Sequence, residues 1–421
     1  MDTYAVLGRR YEPRIIDRQV TELLRTAGAV VIEGPRACGK TMTGLHHAKS
    51  LVQLDSPGAQ FFIDSDPQAL LAGEAPRLLD EWQLAPQLWN MVRRAVDAAS
   101  APGRFILTGS AVPADDISRH TGAGRFLRLR ERTMTWYERG ASTSAVPLEG
   151  LFAGEAMVPD LSTPSLQSVV DNLSTSGFPA MTELTLERQQ TLLRGYLEEV
   201  ARADLPRLGR IRQKPAVLSQ LLRSIARMTG AELSYSALLA DTRAVAPDIR
   251  LETVSSYVEL LGRLFIVELI PPFATKLRSR ARLRTTPKIH MADPALAIAA
   301  LDADPADLTA DPATLGFLFE SAVIHDLTVM VEAMGGRLSH YRDSNGHEID
   351  AVLELPGRGW AAVEIKLGGR RAIEAAESLR RAVAQIDAPQ PPAFMAVITG
   401  TGFTAPIGDD VVTFPLGALC P

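Results

Sequence analysis

Gly34-Pro35-Arg36-Ala37-Cys38-Gly39-Lys40-Thr41 match G-x-x-x-x-G-K-[ST] at every fixed position. An apolar run, Ala29-Val30-Val31-Ile32, precedes them, and a helix-like stretch over 42–50 follows. Strand, glycine turn and helix in that order are the context in which this motif carries chemistry. Glycine lets the backbone curl so that successive N–H groups converge on a phosphate, and the helix adds its positive end. Gly34 through Met42 are the nucleotide-contacting set. Lys40 reaches the β/γ-phosphates and the Thr41 hydroxyl holds Mg²⁺. These residues predict a nucleoside triphosphate, ATP, as ligand.

Hydrolysis needs a second set. Arg77-Leu78-Leu79-Asp80-Glu81 ends a short apolar run in two acids. Asp80 is placed to hold Mg²⁺ through water, and Glu81 to orient or deprotonate the attacking water. The run Phe105-Ile106-Leu107 ends in Thr108-Gly109-Ser110, where Thr108 and Ser110 are placed to touch the γ-phosphate or the lytic water. Arg119 and Arg125 are candidates for an arginine supplied to a neighbouring subunit, which makes a homo-oligomer an expectation.

A third group lies near the C-terminus. Glu320 falls in a helical stretch, Asp350 begins a strand, and Glu364 and Lys366 are i and i+2 on the next strand, hence on one face. Carboxylates so grouped could hold Mg²⁺ or Mn²⁺, and a lysine beside them could stabilise charge at a phosphodiester. A charged pair on an exposed strand face explains Glu364 and Lys366 equally simply. His347 and Glu348 are near enough to assist. The chain has six lysines against 38 arginines, so Lys40 and Lys366 stand out as places where a compact ammonium is used.

Between Lys276 and Lys288, Arg278, Arg280, Arg282 and Arg284 alternate with smaller or apolar residues, without an acid among them. An extended segment would put all four on one face, roughly 6.5–7 Å apart. The readings are a solvated loop, or a wing that follows a nucleic-acid backbone without reading bases.

The elements that must position these groups follow from pattern. At 421 residues the chain is expected to form roughly two to four domains. Residues 1–140 alternate strands (29–33, 60–64, 77–79, 104–108, 126–129) with helices, such as 85–99, as in a parallel α/β sheet. Residues 141–213 read as irregular connector followed by a helical linker from 192. Residues 214–300 carry three helical stretches (216–228, 234–241, 249–264) and strands at 265–270 and 288–291, a winged-helix pattern. A Pro/Asp-rich break at 302–312 precedes a last α/β region, 313–421, with a helix over 315–334 and strands at 338–342, 349–355 and 360–366.

Net charge is −5, so DNA contact would have to come from a local patch. There is no apolar run of ~18 residues and no leader-like N-terminus, which predicts a chain without a membrane span. Two distant cysteines, Cys38 and Cys420, fit a reducing cytoplasm.

The order Tyr11-Glu12-Pro13-Arg14-Ile15, Gly34 to Thr41, Asp80-Glu81-Trp82-Gln83, Leu107-Thr108-Gly109-Ser110 and Gly124-Arg125 resembles the bacterial and archaeal AAA+-type ATPases with a C-terminal domain of unknown function. Thr286-Pro287-Lys288-Ile289-His290 and Asp293 extend the resemblance along nearly the whole chain. It implies a P-loop ATPase core, a winged helix and a PD-(D/E)XK nuclease-like domain, and it adds Arg14 to the nucleotide-site residues. Cleavage, or binding alone by the last domain, are both compatible with it. Phosphotransfer to a small molecule is less favoured, because Asp80-Glu81 points to water as the acceptor.

Overall fold

The computed structural model describes residues 1, 3–99, 101–111, 122–209, 213–273 and 286–421, and divides them into two compact units. The first comprises Met1–Thr133 with Arg263–Phe265. Its centre is a five-stranded, all-parallel sheet of β1 (Ala29–Glu33), β2 (Ser50–Gln53), β3 (Arg77–Asp80), β4 (Phe105–Gly109) and β5 (Phe126–Arg130). The strand order is β2-β3-β4-β1-β5. Parallel sheets are covered on both faces, so their strands read as continuous apolar runs. Alternation along β1 feeds two cores. Ala29 and Val31 join Leu79, Leu107 and Trp82 on one side; Val30 and Ile32 join Leu45, Leu78 and Ile106 on the other. Because every strand runs the same way, Gly34, Asp80-Glu81 and Ser110 all emerge at one edge of the sheet.

The strand expected over 60–64 is instead part of a helix, Pro57–Ser65. Ser56 caps it by accepting from the Ala59 N–H, and Pro57 opens it. Phe61 and Phe62 lie on its exposed side, so their apolar run marks no buried strand. The missing edge strand is β2, which begins at the last residue of the helix-like stretch over 42–50. That helix, Lys40–His47, stops earlier.

The second unit comprises Met134–Gly262 and Ile266–Pro421. The stretch 141–190, expected to be irregular, includes the helices Leu148–Ala153 and Leu166–Ser174 and the start of Leu186–Glu199. A short pair, β6 (Val146–Pro147) with the terminal β15 (Leu419–Cys420), runs parallel. The helices Pro215–Arg227, Tyr235–Arg243 and Leu251–Arg263 follow, with Ser234 capping the second. Next comes an antiparallel pair, β7 (Val267–Ile270) with β8 (Lys288–Met291). Residues 230–233 run along β8 through Gly230 N–H to Ile289 O and Leu233 N–H to Pro287 O, both 2.9 Å. The expected break at 302–312 contains the helix Pro305–Ala310, opened by an Asp304/Asp307 capping box.

The last sheet has the order β13-β14-β12-β11-β10-β9. Its strands are β9 (Arg337–Arg342), β10 (Glu348–Leu355), β11 (Gly359–Lys366), β12 (Met395–Thr399), β13 (Ala405–Ile407) and β14 (Val411–Pro415). β9, β10 and β11 are antiparallel neighbours, while β11, β12 and β14 are parallel. The helix Ala372–Val383 connects β11 to β12 and buries Ala375, Ala376 and Leu379. Among the described residues one helix, Pro312–Ala333, is long and apolar enough to cross a membrane. Here it is mostly buried as a core helix.

Candidate active sites

At the loaded edge of the first sheet, the phosphate loop is shaped by what lies beneath it. Ala37 and Gly39 take positive φ (61° and 122°), curling the chain back on itself. Gly34 is needed for a different reason: a Cβ there would come 2.0 Å from the Glu131 carbonyl oxygen. Lys40 is buried, and its ammonium donates to the Pro35 carbonyl at 2.6 Å.

The loop and the acid pair meet at Asp80. Its Oδ1 accepts from the Thr41 hydroxyl at 2.8 Å and also from the Thr108 hydroxyl. Burial pushes the Asp80 carboxyl pKa up, the two hydroxyls pull it back in part, and Glu81 and Asp55 add to the rise. A cation would relieve exactly such a buried, crowded acid, so this donor set fits Mg²⁺ beside a phosphate loop.

Glu81 sits in the left-handed region (φ 57°), an uncommon conformation for a residue with a side chain. Its N–H donates to Thr108 Oγ1 at 3.3 Å, and its carboxylate accepts from the Ser110 hydroxyl at 3.2 Å and from the Gln83 amide. Asp80, Glu81, Thr108, Ser110, Lys40 and Thr41 therefore form one constellation. Gln83, which clamps Glu81, belongs to it as well.

Two further candidates lie apart from this constellation. Arg14 lies under the loop, where Nη1 donates to Cys38 O and Glu131 Oε1, and Nη2 to Arg132 O, all at 2.9 Å. With these bonds made it braces the loop rather than facing a ligand. Arg125 adjoins the start of β5, where its carbonyl accepts from Ala29 N–H, and its guanidinium pairs with Asp97 at 2.8 Å. That is the opposite end of the sheet from Gly34. Arg119 lies outside the described residues.

Glu131 was not visible in the sequence as a site residue. Buried, it accepts from Arg14 and, at 2.9 Å, from the Thr43 hydroxyl. The Tyr11–Arg14 segment is braced a second time: the Tyr11 hydroxyl donates to Asp17 at 2.6 Å, and Asp17 faces His47 Nε2 at 2.9 Å.

In the second unit, the helix Pro312–Ala333 supplies Glu320, β10 supplies Asp350, and β11 supplies Glu364 and Lys366. Ala351 pairs with Val363, which sets Asp350 beside Glu364. Lys366 Nζ lies 2.7 Å from Glu364 Oε1 and 3.9 Å from Asp350 Oδ2. The four expected residues thus converge. His347 and Glu348 turn to other partners, Asp343 and Arg342, each at 2.9 Å.

A fifth residue enters the cluster. Lys288, expected at the end of a DNA-binding ladder, places Nζ 2.6 Å from Glu320 Oε1 and 3.6 Å from Asp350 Oδ1. Lys276, Arg278, Arg280, Arg282 and Arg284, the rest of that ladder, lie outside the described residues. Burial, then the neighbouring Asp350 charge, pushes Glu320 and Glu364 up to about 7. Burial pulls Lys288 down, but Glu320 and Asp350 outweigh it and the net shift is upward.

Two buried histidines flank Lys288. His290, 3.1 Å from the Ser321 hydroxyl, is pushed down to about 3, and His340, 3.2 Å from Thr286 O, to about 4. Burial is the larger cause in each and the Lys288 charge the next. Both are neutral when folded and protonate near 6.5 when unfolded. Their stabilisation is complete above that value and is lost as pH falls toward 4. The raised Glu320 and Glu364 carboxyls act in the opposite sense over much of that range, so the histidine contribution is read as a difference: between pH 6.5 and 4, calorimetric melts of His340→Gln should lose less stability with falling pH than those of the wild type.

Three family models match the chain: an AAA domain over 26–139, the domain of unknown function DUF8612 over 166–307, and the domain of unknown function DUF4143 over 315–419. Uncharacterised proteins of Mycobacterium bovis and Mycobacterium tuberculosis are each 25% identical over 421 residues, covering 96% of this chain and 83% of theirs. A Walker-type ATPase of Pyrococcus abyssi is similar at 15% identity and a TM-score of 0.42, covering 69% of this chain and 96% of its own. The ORC1 protein of Aeropyrum pernix, solved in complex with DNA, is similar at 14% identity and a TM-score of 0.27, covering 74% of this chain and 98% of its own. With the phosphate loop, the acid pair and the parallel sheet in place, the chain carries an AAA-type P-loop ATPase domain and, C-terminal to it, the domain of unknown function DUF4143.

Proposed function

We propose that the protein binds ATP with Mg²⁺ in its first unit and hydrolyses it, and that the second unit binds DNA. The observation that carries the first part is the Asp80 carboxylate, which accepts from Thr41 on the phosphate loop and from Thr108 on β4. Loop, metal-binding acid and strand-end hydroxyl are tied at one oxygen. Lys40 and the loop N–H groups would hold the phosphates, and Thr41 and Asp80 the metal. Bound Mg²⁺ supplies charge neutralisation at the phosphates. Glu81, held by Ser110 and Gln83, would take the proton of the attacking water. Phosphate release from ATP, with and without duplex DNA, tests both parts: stimulation by DNA supports them, and its absence removes the coupling.

The DNA reading rests on three helices followed by the β7–β8 pair, a winged-helix-like order, and on the arginine-rich sequence between those strands. If four arginines each neutralise a phosphate, Arg280→Ala/Arg282→Ala should flatten the log K against log[salt] slope by ~1.8, at ~0.9 per contact. The loss should be alike for all DNA sequences. Slopes fitted to fluorescence-anisotropy titrations check this, and an unchanged slope in a folded variant argues against the wing.

The cluster of Glu320, Asp350, Glu364 and Lys366 supports a PD-(D/E)XK nuclease-like domain. For this domain the reading without cleavage is favoured by Lys288, whose ammonium lies between two of the three carboxylates. Incubation of plasmid DNA with Mg²⁺ or Mn²⁺ is expected to leave it intact. Cleavage that Asp350→Ala abolishes would instead establish a nuclease.

A further inference from the structure

The carboxylate cluster of the second unit brings five charged side chains together in a largely buried place, and their charges are matched in pairs. Asp350 stands at its centre and offers one oxygen to each of two lysines. Oδ2 faces Lys366 at 3.9 Å and also accepts the Ile365 N–H at 2.8 Å. Oδ1 faces Lys288 at 3.6 Å. Glu320 directs Oε1 at Lys288 at 2.6 Å, and Glu364 directs Oε1 at Lys366 at 2.7 Å. Side chains at these five positions are largely buried, with Lys366 the most open at 31%. Glu364 Oε2 is buried and has no hydrogen-bond partner.

A divalent cation shared by the helix and strand carboxylates would sit between Glu320 and Asp350, since the Lys366 ammonium already stands between Asp350 and Glu364. Lys288 Nζ is there. An ammonium carries one positive charge and three donors, whereas a divalent ion takes six or more oxygens at about 2.0–2.6 Å. The two cannot share the position, so the residues present do not fit a metal while Lys288 stays in place.

We propose that Lys288 is the built-in cation of this cluster: its ammonium, delivered by β8, occupies the seat of a divalent metal between Glu320 and Asp350 and excludes it. The pair is also a latch. It fastens β8, which follows the arginine-rich segment in sequence, to the helix and hairpin of the C-terminal domain. This rests on reading the cluster as one of metal-binding type.

The test uses the full-length protein, stripped with chelator and probed with Mn²⁺ alone. Heat of binding and thermal melting are recorded for the wild type, Lys288→Met, Asp350→Asn and Lys288→Met/Asp350→Asn. The wild type is expected to show no Mn²⁺ heat that Asp350→Asn removes, and no Mn²⁺ shift in the melting of the second unit. Lys288→Met should melt lower in chelator and recover with Mn²⁺, by roughly 5 °C at ~100 times Kd. The double variant should lose that recovery.

Should Lys288→Met not fold, Lys288→Gln keeps a neutral donor to Glu320 and serves in its place. If neither folds, the wild-type titration decides alone. An Asp350-dependent Mn²⁺ signal in the wild type overturns the inference while preserving the cluster as a metal site. A folded Lys288 variant that gains no Mn²⁺ response also overturns it, and with it the metal-type reading of the cluster. The ATPase reading is untouched by either result.

Discussion

Replacing Glu81 with Gln is expected to slow ATP hydrolysis by ~10²–10⁴-fold while ATP still binds. The substitution is nearly isosteric and leaves the phosphate loop, Lys40, Thr41 and Asp80 as they are. It removes only the charge that can take a proton from water. Both groups that hold this carboxylate, Ser110 and Gln83, can also hold the amide oxygen, so the backbone at φ 57° should keep its shape. Single-turnover hydrolysis and filter binding separate the two effects. A fall in affinity equal to the fall in rate would move Glu81 from proton transfer to ligand binding.

Arg14→Ala is expected to destabilise the first unit by about 3–5 kcal/mol, because it removes the guanidinium that is ion-paired with a buried carboxylate. Glu131 is 1% exposed at its side chain, and its Oε1 loses the guanidinium while keeping the Thr43 hydroxyl. The carbonyls of Cys38 and Arg132 lose donors in the same step. Urea unfolding should show a lower midpoint with an unchanged slope. Glu131→Gln, which keeps an acceptor, should cost less. ATP affinity should fall in Arg14→Ala through the loop's shape, although Arg14 faces no ligand.

What could be read in the sequence follows from how burial writes itself into it. β1, β3 and β4 run through the middle of a parallel sheet, and their apolar runs mark them, while the edge strand β5 shows as alternation of apolar residues with arginine. β2 is a four-residue edge strand, Ser-Leu-Val-Gln, too short for any periodicity to show. The apolar run at 61–63 imitated the strand that β2 supplies. The loop, the acid pair and the strand-end hydroxyls were legible because each is local and chemically specific. Glu131 was not, since its partners Arg14 and Thr43 lie 117 and 88 residues away. Lys288 was misplaced for the converse reason. It adjoins the arginine-rich stretch in sequence, but its side chain pairs with Glu320, 32 residues on. Arg125 was read as an arginine supplied to a neighbouring subunit, and only the strand direction shows that it lies at the opposite end of the sheet from its own phosphate loop.

The central claim is that the phosphate loop and the Asp80-Glu81 pair make one hydrolytic site. Its most direct test is Mg²⁺-dependent phosphate release from ATP by the wild type and by Lys40→Ala. The account predicts turnover by the wild type that stops in chelator, and none by Lys40→Ala, whose loop has lost the charge facing the β/γ-phosphates. Wild-type protein that releases no phosphate in Mg²⁺, or Lys40→Ala that matches it, would contradict the account.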